Sequence, residues 1–366
     1  MRILHLTTEL RPAGAEVVIL NLARGQVAAG HQVHVAALQP LPADSFIVDG
    51  LREVGVTVHS LALSHWRPWR ALAVRRLAAT LCPDLVHAHL IHANLVSRLL
   101  PRGRSFPLVN TVHIAERRSG KDWHFRLDRA TLRRCDVQTA VSRAVRDYHA
   151  VQLGVPPATI PVIYNGIVPP RPPSPAETAA WRAAWGVSEC ARVIGGVGRL
   201  DPQKGFDLLL QLLPALGAAL PAGERWGLVV IGEGTQRPAL EALARLAPPN
   251  LTIALPGFRA DAPRCPGAFD LFVMPSRYEG FGLTLAEAMA HGIPILANAI
   301  DSLPELLADY PPGAIVDFTA EPPPILARRL IAQARQPRGV PAHRFNAETM
   351  VAAYLQLYHH LRAPCP

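Results

Sequence analysis

Short apolar, β-branched runs recur along the first half of the chain and read as strands buried on both faces. They are Arg2–Leu6, Gln32–Leu38, Val56–Leu61, Leu85–His89, Leu108–His113, Val137–Val141 and Val162–Tyr164. Between them lie stretches with apolar positions at helical period, such as Ala15–Ala29 and Trp69–Leu81. This alternation implies a mostly parallel sheet covered by helices on both faces.

The texture breaks at Val168–Pro175, which reads VPPRPPSP. Proline at that density reads as a stiff connector rather than as helix or central strand. The alternation then restarts. Strands are expected at Arg192–Val197, Gly227–Ile231, Leu251–Leu255, Leu271–Met274, Pro294–Ala297 and Ala314–Val316. Helices are expected at Phe206–Leu213, Pro238–Leu246, Thr284–Ala290, Leu303–Leu307 and Pro324–Gln333. The pattern predicts an α/β protein of two doubly wound, Rossmann-like domains, 1–167 and 176–345, joined by the linker 168–175. A last helix, Ala347–Arg362, begins the segment 346–366 and is expected to pack back on the first domain. Two such domains are expected to turn their strand carboxyl ends toward a cleft, where ligands bind.

Composition narrows the function. Apolar residues make up 49% and charged residues 18% of the 366 residues, enough for sizeable cores and too apolar for disorder. No run approaches the roughly 18 apolar residues of a membrane span, and MRILHLTTEL lacks the apolar length of a signal peptide. The cysteines Cys82, Cys135, Cys190, Cys265 and Cys365 are scattered without a CxxC pair, which argues against a zinc ribbon and fits a reducing cytoplasm. The net charge of +9 favours anionic partners, with basic residues gathered at Arg67–Arg76 and Arg98–Arg104. No basic module with interleaved aromatics points to nucleic acid.

Residues 193–210 read VIGGVGRLDPQKGFDLLL. A strand ends in glycines, and Arg199, a turn, Lys204 and a helix follow. Gly198 lets backbone approach a ligand, a helix start offers free N–H groups, and the two cations suit a diphosphate. The spacing is not a P-loop, and Asp201 stands where a dinucleotide fingerprint needs a third glycine, which speaks against a nicotinamide oxidoreductase. A second loop, Pro12–Glu16, follows the first strand, and Gly14 before its helix could bring N–H groups to a phosphate. The most informative stretch is LFVMPSRYEGFGLTLAEAMAHG, residues 271–292. Glu279 lies in a glycine-rich loop above a strand end. Glu287 stands in an otherwise apolar helix, where a buried carboxylate is able to accept hydrogen bonds from a diol such as ribose. Gly282 and Leu283 open that helix with free N–H groups.

These motifs resemble the retaining family 4 glycosyltransferases of the GT-B fold, which use nucleotide-diphosphate sugars. The resemblance runs nearly end to end. It includes PAGAE (12–16), PDLVHAH (83–89), VNTVH (109–113), CDVQTAVS (135–142), VIYNGI (162–167), VGRLDPQKG (197–205), VIGEGTQR (230–237) and PSRYEGFGLTLAEAMAHGIPI (275–295). It implies that the first domain binds the acceptor and the second the donor. It implies that Arg199 and Lys204 bind the diphosphate, that Glu287 holds the ribose, and that Glu279 contacts the transferred sugar with help from Phe281, Gly282 and Leu283. Gly14 would approach the phosphates, His113 would lie near the sugar, and Gly257 and Phe258, within Pro256–Arg259, would flank the base. His87, His89 and His92 resemble a metal set on paper but are read as structural or acceptor-side. Two departures from the family pattern stand out. Ala13–Gly14 replaces a double glycine, and Asp301–Ser302 replaces another before Glu305.

No DxD-type metal motif stands at a matching place, so transfer without metal or other cofactor is expected, with Arg199, Lys204 and helix N-termini stabilising the leaving group. The implied partners are a nucleotide-sugar donor, a carbohydrate or glycolipid acceptor of cell-envelope synthesis, and an anionic membrane surface at the inner face of the cytoplasmic membrane. The segment Glu116–Arg126, with Trp123, and the loops Ser64–Trp69 and Ala115–Trp123 are where acceptor choice is expected. The rival readings are a non-catalytic sugar-nucleotide-binding scaffold and a nucleotide-sugar epimerase of the same fold.

Overall fold

The computed structural model describes residues 1–63, 71–101, 104–115 and 122–362. The loop 64–69, the start of the Trp69–Leu81 stretch, part of each basic cluster, residues 116–121 of the 116–126 segment and Cys365 lie outside them. The chain divides into two compact units, Met1–Val168 with the C-terminal segment from Phe345, and Pro169–Arg344.

In the first unit the strands are β1 (Arg2–Thr7), β2 (Gln32–Ala37), β3 (Thr57–Ser60), β4 (Leu85–His89), β5 (Leu108–Val112) and β6 (Val137–Ala140). They form one parallel sheet in the order β3-β2-β1-β4-β5-β6. Its helices are α1 (Gly14–Ala28), α2 (Phe46–Glu53), α3 (Ala71–Leu81), α4 (Ile91–Ser97), α5 (Asp122–Thr131) and α6 (Arg143–Leu153). Ile3 sits between Val33 and Leu85 in the register, so β1 and β4 flank the point where strand order reverses.

In the second unit the helices are α7 (Pro175–Ala184), α8 (Phe206–Gln211), α9 (Leu213–Ala219), α10 (Arg237–Ala244), α11 (Leu283–Ala290), α12 (Leu303–Leu307) and α13 (Pro323–Ala334). The strands are β7 (Arg192–Val197), β8 (Trp226–Ile231), β9 (Leu251–Gly257), β10 (Leu271–Met274), β11 (Ile295–Asn298) and β12 (Gly313–Val316), in the parallel order β12-β11-β10-β7-β8-β9. Here β7 and β10 flank the reversal. A final helix, α14 (Ala347–Arg362), belongs to the first unit and lies on α1. Gly25 makes that contact possible, because a Cβ there would stand 2.5 Å from Val351 Cγ2.

Several local expectations are corrected. Val162–Tyr164 makes only an isolated bridge, Ala140 to Val162, and is not a strand. The stretch Phe206–Leu213 is shorter than expected: α8 ends at Gln211 and α9 begins with Pro214 in its first turn, because proline carries no N–H for a continuous helix. Pro175 does not belong to an extended linker. It opens α7 in a capping box, where Ser174 accepts from the Glu177 N–H and the Glu177 carboxylate accepts from the Ser174 N–H. Arg98 contributes no basic surface. It is buried, paired with Asp128, and donates to Asn110 at 2.7 Å and Gln138 at 2.6 Å.

The glycines of β7 are packing residues. A Cβ on Gly195 would meet the Phe269 ring at 2.1 Å, and one on Gly196 the Phe206 ring at 2.7 Å. Gly195→Ala is therefore expected to destabilise the protein by about 1–3 kcal/mol, read as a lowered melting temperature in thermal unfolding; an unchanged midpoint would refute this packing account.

Candidate active site

The second unit gathers ten of the expected residues around the carboxyl ends of β7–β10: Gly198, Arg199, Lys204, Gly257, Phe258, Glu279, Phe281, Gly282, Leu283 and Glu287. Two loops, one after β7 and one after β10, are stitched together. The Arg277 N–H donates to the Gln203 carbonyl at 2.7 Å, and Gln203 donates to the Tyr278 carbonyl at 3.1 Å. The Arg277 guanidinium grips both Asp207 carboxylate oxygens, at 2.8 and 2.7 Å, and holds that carboxyl below its ordinary pKa. Gly205 stands at φ +66° with no room for a Cβ, which would meet the Pro275 carbonyl at 2.1 Å.

This seam aims Lys204. Its stem passes over Gly198, where a Cβ would touch it at 3.4 Å. Its ammonium donates to Glu279 Oε1 at 2.6 Å, and that oxygen also accepts from the Ser276 hydroxyl at 2.8 Å. Glu279 is buried. Arg199 is exposed and turned onto Asp201 at 2.9 Å.

The residues in place of the second double glycine hold the same loop. Asp301, at φ +43°, accepts from the Glu279 N–H at 2.9 Å, and the Ser302 hydroxyl donates to the Phe281 carbonyl at 2.9 Å. Aspartate tolerates that left-handed backbone better than most residues. Asn298 at the end of β11 donates to the Ser276 carbonyl at 2.9 Å. The first departure costs no strain either, since Ala13 is ordinary extended backbone at φ −153°.

Phe281 is buried and Gly282, at φ +92°, precedes α11. Glu287 lies within α11. It is partly buried, and its carboxyl makes no hydrogen bond among the described residues. Burial raises its pKa to about 8 despite the nearby Lys204 charge. Gly257 ends β9 at φ +91°, and Phe258 beyond it is exposed.

Gly14 and His113 belong to the first unit. Gly14 is exposed at the start of α1. His113 follows β5, and burial lowers its pKa to about 4. Its Nε2 meets His89 Nδ1 at 3.1 Å, and its buried Nδ1 has no partner among the described residues. His87 and His89 share β4, but His92 lies on α4, so the three do not form a ligand set. His5 on β1 joins the other two instead, with ligand atoms within 4.8 Å. Both nitrogens of each of these rings are already hydrogen-bonded to protein groups, which leaves no lone pair for a metal without breaking a buried bond. Sequence reasoning missed His5, Ser276 and Asn298. The one available signal was a histidine inside the apolar run of β1.

Against this geometry the comparisons are specific. A model described as Glycosyltransferase Family 4 matches residues 12–171, and one described as Glycosyl transferases group 1 matches residues 177–328. The chain is 36% identical over 182 residues to the lipopolysaccharide core biosynthesis mannosyltransferase LpsB of Rhizobium meliloti. That match covers 48% of this chain and spans about half, 49%, of the relative's length. An uncharacterized glycosyltransferase of Methanocaldococcus jannaschii is 28% identical over 331 residues, covering 84% of this chain and 83% of that one. Among solved structures, Anabaena HepE in complex with UDP superimposes with a TM-score of 0.79 at 23% identity, covering 98% of this chain and 100% of that chain, a likeness of fold.

The raised pKa of Glu287 carries a signed expectation. Above pH 4.5 the unfolded carboxyl is ionised while the folded one keeps its proton up to about pH 8. Its contribution to stability is therefore full below pH 4.5 and lost as pH rises to about 8. The melting-temperature advantage of Glu287→Gln over the parent is expected to grow from about pH 5 to about pH 8.5; an equal difference at both pH values would contradict the burial of a proton there.

Proposed function

The chain belongs to the family 4 glycosyltransferases, and on that premise we propose that it transfers a sugar from a nucleoside-diphosphate donor to a hydroxyl acceptor with retention of configuration. The observation that carries this reading is the Lys204–Glu279 contact at the reversal of strand order, with the unbonded Glu287 carboxyl beside it.

In this reading the diphosphate takes the Lys204 ammonium and draws Arg199 off Asp201. Both cations, and the N–H groups that open α11, stabilise the charge that develops on the leaving phosphate. Glu287 offers its carboxyl to the ribose diol, donating as well as accepting while it keeps its proton. Glu279, held by Ser276, Asp301 and Lys204, takes hydroxyls of the transferred sugar. Gly257 and Phe258 flank the base. The bond from the anomeric carbon to the phosphate oxygen breaks through an oxocarbenium-like state. The acceptor oxygen bonds to that carbon from the same face, and its proton leaves with the phosphate. The two cations supply the charge that a metal would otherwise bring, so the reaction is proposed to need none.

The named role of the rhizobial relative in lipopolysaccharide core synthesis and the net charge of +9 support an envelope glycolipid or polysaccharide acceptor, met at the inner face of an anionic membrane. Among the described residues no helix is long and apolar enough to cross a membrane. The bond that Asp301 accepts and the one that Ser302 donates favour a catalytic reading over a scaffold, since the residues that replace the glycines brace the Glu279 loop.

Lys204→Ala is expected to lower kcat for donor consumption by roughly 10²–10³-fold, measured as nucleoside diphosphate released in the presence of acceptor. Near-normal turnover would overturn the site assignment.

A further inference from the structure

The first unit contains a continuous chain of buried hydrogen bonds that ends at His113. Gln26 Oε1 meets His5 Nε2 at 2.8 Å, His5 Nδ1 meets His89 Nε2 at 3.0 Å, and His89 Nδ1 meets His113 Nε2 at 3.1 Å. On its other side Gln26 Nε2 reaches the Tyr358 hydroxyl at 3.5 Å. Tyr358 meets His87 Nδ1 at 2.5 Å, and His87 Nε2 meets the Thr111 hydroxyl at 2.6 Å. Thr111 meets Thr139 at 2.7 Å, and the Thr139 hydroxyl reaches the Asn110 carbonyl at 3.4 Å. His5, His87 and His89 are fully buried, and burial holds all three rings and His113 neutral at physiological pH.

A neutral imidazole carries one N–H, so each ring in such a chain must donate on one side and accept on the other. The Tyr354 hydroxyl also reaches Thr111, at 3.1 Å, and Thr139, at 3.5 Å, so the hydroxyl end of the network branches and does not set its direction. The Gln26 amide sets it: its N–H donates to the Tyr358 hydroxyl, and its oxygen faces His5. An amide oxygen only accepts, which places a proton on Nε2 of His5, of His89 and of His113 in turn.

We infer that Gln26, His5 and His89 are positioning residues that lock His113 in its Nε2–H tautomer, leaving Nδ1 as a bare acceptor for a ligand hydroxyl. That Nδ1 is buried and has no partner among the described residues. An acceptor there selects a group that donates, a sugar or acceptor hydroxyl, and disfavours an ether or phosphate oxygen. The identity of the ligand rests on the proposed function; the tautomer does not. Tyr358 couples the device to α14, because it orients Gln26 from the last helix of the chain.

The test is long-range ¹H–¹⁵N correlation spectroscopy of the full chain labelled at histidine, which distinguishes protonated from bare ring nitrogens, with His113 assigned by His113→Asn. The expected wild-type spectrum has His5, His89 and His113 as Nε2–H, favoured roughly tenfold or more. In Gln26→Leu the oxygen that accepts from His5 is gone, and His113 is expected to become a mixture or to turn to Nδ1–H. A wild-type His113 protonated at Nδ1, or one mixed between tautomers, would overturn the inference. So would a folded Gln26→Leu that leaves His113 unchanged. Should that variant fail to fold, the wild-type spectrum alone decides. The result reads the same whether or not the protein turns over a sugar nucleotide.

Discussion

One short contact organises the second unit: the Lys204 ammonium resting on the Glu279 carboxylate across the gap between β7 and β10. A lysine reaches that point only because its stem crosses Gly198 and because Gly205 packs against the Pro275 carbonyl. A glutamate stays there only because Ser276, Asp301 and the Arg277–Asp207 fork fix the loop that carries it. The two groups largely satisfy each other's charge. In the proposed reaction a diphosphate would exchange one anion for another at Lys204 rather than meet an unpaired buried cation. Glu287 differs. Among the described residues no hydrogen bond reaches its carboxyl, and burial favours its protonated form.

The first unit solves the corresponding problem with neutral groups. Its reversal point, between β1 and β4, is filled by His5, His87 and His89 where buried strands ordinarily carry aliphatic side chains. Polar rings in that position are stable only when every nitrogen finds a partner. The last helix supplies part of the answer, since Tyr354 and Tyr358 on α14 bond to Thr111, Thr139, Gln26 and His87. The burial of α14 on α1 and the order of the histidine cluster are thus one structural event. The Arg98–Asp128 pair shows the alternative, a buried charge made tolerable by Asn110, Gln138 and an acid.

Much of this was legible in the sequence. Runs such as Leu85–His89, Arg192–Val197 and Leu271–Met274 are strands over those residues, because a parallel strand covered on both faces leaves a continuous apolar signature. The helices Asp122–Thr131 and Arg143–Leu153 were not picked out, since their charged faces blur the apolar period. Val162–Tyr164 has strand composition but only one bridging partner, and pairing is a tertiary property that composition does not encode. At the site, the motifs named Lys204, Glu279 and Glu287 but not the company they keep. That Arg98 is an internal strut, that His5 joins His89, and that Asp301 braces Glu279 all depend on contacts between residues distant in the chain. No local pattern carries such information.

The most direct measurement is thermal unfolding of the purified protein with UDP, GDP, ADP and their sugar conjugates, each with a chelator and with a divalent metal. A ligand that binds only the folded state stabilises it by about 2.7 kcal/mol at one hundred times its Kd. A Lys204-centred donor site predicts that one nucleotide family raises the melting temperature with the chelator present, and that Lys204→Ala abolishes most of the shift. No shift with any nucleotide, or a shift that appears only with metal, would contradict it.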